Sequence, residues 1–316
     1  MPEMLATRKA YGQALVELGR ENPNVVVLDC DLSKSTMTSM FAKEFPDRFI
    51  NMGIAEANMM ATAAGLAACG KIPFASTFAV FATGRAWEQA RMSIGYTRLN
   101  VKIAATHAGI TVGEDGASHQ ANEDIALMRV IPNFTVIVPA DGVETKQAVR
   151  AAALRPGPAY IRLGRADVPI LFDDTYEFKI GKAVVMREGK DISLFACGGM
   201  VAEALKAADT LAAEGVSAEV VNVSTIKPLD IDTIVASVRK TGGAVSAEEH
   251  TIVGGLGGAI CEALAEAYPV PLKRVGLEDC FGESGTSDEL LCKYCMTAPN
   301  IVDAARSVLA RKGGRI

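Results

Sequence analysis

The chain has 316 residues, of which 49% are hydrophobic and 22% charged, with a formal net charge of −5 at pH 7. That length suits two domains better than one core, and the acidic balance presents no basic face to attract nucleic acid. No apolar run approaches the ~20 residues that span a bilayer, so no membrane association is expected.

At the N-terminus, MPEMLATRKAYGQAL carries an amphipathic helix pattern rather than a signal peptide. Short apolar runs at 25–30, 71–77, 100–108, 134–140 and 158–164 predict strands buried on both faces. Between them, helical patterns cover 3–20, 33–44, 56–69, 81–96, 123–130 and 142–154. This alternation predicts an α/β fold with a doubly wound parallel sheet over residues 1–168. The pattern breaks over 169–189, which reads as a linker with an acidic turn and a small hairpin. Alternation then resumes over 190–316, with strands at 192–197, 218–223, 243–249 and 272–277 and helices over 200–214, 230–240 and 298–311. That is a second, smaller α/β domain.

The seven cysteines are odd in number and scattered, as expected of reduced thiols in the cytoplasm. Cys292 and Cys295 have the spacing of a metal knuckle, but no second pair accompanies them and they fall in a helical pattern. They read as incidental core cysteines, and no metal site of this chain's own is expected.

Four groups of residues carry candidate chemistry. The segment HAGITVGEDGASHQ (107–120) holds two of only three histidines, His107 and His119, around Asp115. Histidines flanking a carboxylate can move protons on a polar substrate, although the same residues would suit a solvated surface loop. Glu56 opens a helix otherwise made of small and apolar residues. Such a helix is expected to be buried all round. With no cation nearby, its carboxylate would share a proton with an incoming group, or it would simply complement the helix dipole. Arg8, Ser35 and Arg165 lie at separate loops or helix starts and taken singly are ordinary surface residues; Arg165 closes a predicted strand, where parallel sheets place ligands. Gly254–Gly258 follows a strand and opens a helix, but it misses the dinucleotide-binding register, and a tight turn explains it equally well.

Taken in order, ATRK (6–9), DLSKS (31–35), NMGIAEANM (51–59), STFAVF (76–81), HAGITVGEDGASHQ (107–120), the Arg165 segment and the glycine turn at 254–258 resemble the transketolase family. The resemblance covers nearly the whole chain, from that family's pyrimidine-binding domain through its C-terminal domain. It implies a thiamine diphosphate-dependent enzyme that moves a two-carbon ketol unit from a ketose to an aldose. Glu56 would hydrogen-bond the aminopyrimidine and favour the imino form that deprotonates the thiazolium carbon. Phe78 and Phe81 would line the pyrimidine slot, and Asp31 would lie near the cofactor. His107, Asp115 and His119 would meet the sugar, and Arg8, Ser35 and Arg165 with His107 would hold its phosphate or another anionic terminus. Ala82-Thr83-Gly84 replaces a third aromatic of the family pattern, which alters the slot. No GDG segment with a suitably spaced Asn is present to hold the diphosphate and Mg2+. The resemblance therefore implies the C-terminal subunit of a split transketolase, active only with an N-terminal partner subunit in an α2β2 assembly. The alternatives are the beta subunit of a 2-oxo acid dehydrogenase, or a non-catalytic partner of a thiamine enzyme.

Overall fold

The short runs of β-branched and apolar residues do form strands, and most lie buried on both faces. In the computed structural model, which describes residues 3–173 and 175–313, the strands are β1 (Met4–Ala6), β2 (Val25–Asp29), β3 (Phe49–Asn51), β4 (Ile72–Ser76), β5 (Lys102–Ala105), β6 (Thr135–Ile137) and β7 (Ala159–Arg162). They continue with β8 (Asp167–Pro169), β9 (Val184–Arg187), β10 (Ile192–Ala196), β11 (Ala218–Asn222), β12 (Thr225–Lys227), β13 (Ala244–Thr251) and β14 (Leu272–Leu277).

A seven-stranded sheet runs in the order β12-β6-β7-β5-β4-β2-β3, and a five-stranded sheet in the order β14-β13-β10-β11-β9. Each is parallel except for one edge strand, β12 on β6 and β9 on β11. The two-residue side-chain period of β2 shows how the first sheet is covered. Val25 and Val27 pack with Tyr11, Leu15 and Leu18 of helix Thr7–Glu21 and Val149 of helix Gly142–Leu154. Val26 and Leu28 face Met59, Met60 and Ala63 of helix Glu56–Ala68 on the other side.

Several expected elements are redrawn. The helix expected from residue 3 begins at Thr7, because Met4–Ala6 is recruited as a strand against β8. The helix expected over 33–44 breaks at Met37, which takes a left-handed φ of 66°; the buried Asp29 accepts the hydroxyls of Thr36 (2.7 Å) and Thr38 (2.9 Å) on either side of it. The helix expected over 81–96 is interrupted at Ala86, with π-helical turns over Phe81–Arg85 and Ala90–Tyr96. Among the described residues, the linker forms no hairpin, since β8 pairs with β1 and β9 with β11. One strand crosses between the two halves, for β12 follows β11 in sequence yet extends the first sheet. The hydrophobic core is likewise shared, with Phe195, Val221 and Ile234 joining Val136 and Tyr160.

Candidate active site

The carboxyl ends of the parallel strands, where such sheets place ligands, carry nearly every candidate residue. The chain leaves β2 toward Asp31 and Ser35, β3 toward Glu56, β4 toward Phe78 and Phe81, β5 toward His107, and β7 toward Arg165.

Glu56 opens its helix and is only 3% exposed. The expectation of a carboxylate without a cation is not met. Arg85 Nη1 lies 3.3 Å from Glu56 Oε2, and its guanidinium sits over the Phe81 ring at 4.4 Å. The π-helical turn Phe81–Arg85 supplies the extra backbone residue that brings Arg85 there. The helix is not buried all round either. Ala57, Ala61, Gly65 and Ala68 form an exposed face of small residues, which nothing among the described residues covers.

Rings join the glutamate end to the histidines. Phe78 and Phe81 lie parallel, 8° apart, with centroids separated by 5.9 Å. His107 stacks on Phe78 at 3.8 Å, and His119 meets the Phe81 ring edge-on at 5.4 Å. His107 adopts a left-handed φ of 58°, a conformation that non-glycine residues keep only where surrounding contacts impose it. Thr106 Oγ1 lies 2.9 Å from His107 Nδ1. Burial, reinforced by Arg8, Arg165 and His119, pushes the His107 imidazole down to about 3, so it is neutral at physiological pH.

The cationic end also converges. Arg8 Nη1 donates to the Ser35 carbonyl at 2.8 Å and Arg8 Nε to the Arg165 carbonyl at 3.3 Å. Burial and the neighbouring Arg165 charge lower the Arg8 pKa, against the opposing pull of Asp167. Arg165 in turn pairs with Glu114 at 2.6 Å, which holds the Glu114 carboxyl below its usual range. Ser35 thus meets Arg8 through its backbone. Among the described residues, neither Asp31 nor Asp115 hydrogen-bonds to a member of either group. Asp31 is exposed and held by Asn51, whose Nδ2 lies 3.2 Å away, and Asp115 is exposed at the tip of the loop.

Sequence reasoning missed Arg85 and Asp29. The residue at 85 could have been noticed from its helical spacing to Phe81, whereas nothing local marks Asp29 as the organiser of the 31–38 loop. The glycine turn at 254–258 is already occupied. Glu248 accepts the backbone N–H groups of Leu256 (2.6 Å) and Gly257 (2.8 Å), filling the anion position at that helix start. Cys292 and Cys295 are exposed rather than in the core, since they lie on the outer side of the short helix Ser287–Lys293 and just beyond it.

A buried carboxylate, two parallel aromatic rings, a neutral imidazole and two guanidinium groups thus line one cleft at the strand ends. The chain matches the transketolase pyrimidine-binding domain over residues 3–170 and the transketolase C-terminal domain over 181–301. It is 52% identical over 297 residues to the transketolase C-terminal section of Methanocaldococcus jannaschii, covering 93% of each chain. It is 44% identical to the 6-deoxy-6-sulfo-D-fructose transketolase subunit SqwH of Clostridium sp., covering 98% of this chain and 96% of that one. Among solved structures, the inactive β4 tetramer of a split-gene transketolase superposes with a TM-score of 0.92 at 57% identity, covering 98% of this chain and 99% of that chain. This chain belongs to the transketolase family and carries its pyrimidine-binding and C-terminal domains.

Proposed function

We propose that the chain is the catalytic C-terminal subunit of a split, thiamine diphosphate-dependent transketolase, transferring a two-carbon ketol unit from a ketose to an aldose. The observation that carries this reading is the convergence of Glu56, Phe78, Phe81, His107 and His119 into one cleft at the strand ends. Those residues fit an aminopyrimidine, because a buried carboxylate with one half-exposed cation for a partner retains capacity for a ring nitrogen, and the aromatic pair offers an apolar wall.

Thiamine diphosphate held by these residues would supply a nucleophilic thiazolium carbon. Glu56 holds a proton at the pyrimidine nitrogen. Phe78 and Phe81 exclude water beside it. His119 and the neutral His107 exchange hydrogen bonds and protons with sugar oxygens, and Asp115 takes a hydroxyl. Arg8 and Arg165, with the Ser35 loop, receive a phosphate or sulfonate terminus, since both present the same oxyanion geometry. That a relative at 44% identity acts on a sulfo-sugar supports an anionic terminus of either kind.

The diphosphate and Mg2+ belong, in this reading, to an N-terminal partner subunit in an α2β2 assembly. Relatives of matching length and the inactive β4 form of the split-gene enzyme support it, as does the exposed small-residue face at Ala57, Ala61 and Gly65.

Calorimetric titration of thiamine diphosphate and Mg2+ is the test, on the chain alone and mixed with a subunit that carries the diphosphate-binding domain. Binding and ketol transfer only in the mixture are expected. Tight binding or robust turnover by the chain alone would overturn the split arrangement. Release of CO2 from a 2-oxo acid by the mixture would favour the dehydrogenase.

A further inference from the structure

The segment His107–Gln120 belongs to the first domain, yet the second domain holds it in place. We propose that Glu249, in the C-terminal half of β13, is the positioning residue for this loop, so that the C-terminal domain sets the substrate half of the cleft. The inference rests on reading 107–120 as the substrate loop.

Glu249 Oε1 accepts both the backbone N–H of Thr111 (2.7 Å) and its hydroxyl (2.8 Å). The backbone of Glu249 is fixed in its turn. Its carbonyl accepts Arg162 Nη2 at 2.8 Å, and Arg162 Nε is tied to the buried Asp124 at 2.8 Å. The carboxylate is therefore aimed by a buried ion pair at the end of β7 and grips the loop four residues after His107. The fit at Gly109 is close, for a Cβ there would lie 2.2 Å from Glu249 Oε1, and its φ is +82°. A side chain at 109 would dislodge the carboxylate from Thr111.

Among the described residues, the other second-domain hydrogen bonds to the loop are single and neutral, and Ile110 is buried in the same apolar cluster as Leu277 and Leu290. Ser287 Oγ donates to the Thr111 carbonyl at 3.1 Å, and Gln120 Nε2 donates to the Glu283 carbonyl at 2.9 Å. A carboxylate that accepts two donors from one residue outweighs either of them. The loop needs such a hold. It enters through a left-handed His107, and Glu249 holds it at Thr111, between the His107–Phe78 stack on one side and the Arg165–Glu114 pair on the other.

The test compares Glu249→Ala and Glu249→Gln in the full chain, free and in the assembled complex. Hydrogen exchange over 107–120 is expected to rise about tenfold or more in Glu249→Ala, the loss of a charge-assisted bond pair. Exchange elsewhere should be unchanged. Glu249→Gln should recover part of the protection, because its amide oxygen still accepts. In the complex, KM for the sugar should rise about tenfold with kcat and thiamine diphosphate affinity nearly constant. Wild-type exchange in Glu249→Ala, loosening spread across the second domain, or equal damage from Ala and Gln would each overturn the proposal. Should Glu249→Ala fail to fold, Thr111→Val removes one of the two donors and must still raise loop exchange. Exchange is read without turnover. Loop loosening in a complex whose wild type transfers no ketol unit would therefore sink the functional reading and leave the positioning role standing.

Discussion

At the scale of single residues, the cleft is defined by charges whose partners are asymmetric. Glu56 is 3% exposed while the Arg85 that meets it has a side chain 56% exposed. The carboxylate is fixed, and its counter-ion can swing into solvent. Glu56→Ala is therefore expected to leave folding and assembly intact and to lower ketol transfer by about 10²–10⁴, measured on the assembled complex; turnover within tenfold of wild type would refute the role. His107 makes a second prediction. Its imidazole is pushed from an ordinary 6.5 to about 3. Above pH 6.5 neither folded nor unfolded chain binds this proton. As pH falls below 6.5 the unfolded chain takes it up and the folded chain refuses it until about 3, so stability drops by up to ~1.4 kcal/mol per pH unit. Urea denaturation at pH 7 and pH 5 should show a larger loss for the wild type than for His107→Gln. Equal losses would mean that His107 titrates normally.

Secondary elements explain how those side chains are aimed. The 31–38 loop is built around Asp29, which receives Leu32 N at 2.7 Å together with the Thr36 and Thr38 hydroxyls. Burial raises the Asp29 pKa against those hydrogen bonds, which favour the charged form. Asp29→Ala should therefore release the Ser35 carbonyl from Arg8 and weaken anion binding, seen as a higher sulfate or sugar phosphate Kd. The turn at 254–258 follows the same logic. A Cβ at Gly255 would sit 2.1 Å from Glu248 Oε2, so the glycine makes room for a carboxylate that caps helix Leu256–Ala267. Removing that cap in Glu248→Ala should cost about 3 kcal/mol, measured by denaturant midpoint. A loss below ~0.5 kcal/mol would show that water replaces the carboxylate.

Across the whole molecule, the two domains share structure rather than merely touching. β12 completes the first sheet, and one core runs from Val136 and Tyr160 to Phe195 and Val221. Calorimetry should accordingly record one cooperative unfolding transition; two resolved transitions would contradict the shared core. The outer face of helix Glu56–Ala68 is uncovered among the described residues. Ala61→Arg is expected to leave the melting temperature unchanged and to block association with other subunits, as followed by light scattering. Among the described residues, no helix is long and apolar enough to cross a membrane.

Local pattern alone marked the alternation of strands and helices, and the family resemblance carried by ordered motifs proposed the candidate cleft residues. Apolar runs and ordered motifs such as GIAE and HAGITVGEDGASHQ are legible within a dozen residues. Tertiary structure decided what those residues meet. Arg85 reaches Glu56 across 29 positions and Glu249 reaches Thr111 across 138, separations that no periodicity encodes. The recruitment of Met4–Ala6 and Thr225–Lys227 as edge strands has the same cause. Three-residue segments carry too little pattern to declare themselves, and pairing gives them a conformation: Thr225–Lys227 closes an edge of the first sheet, and Met4–Ala6 pairs with Asp167–Pro169.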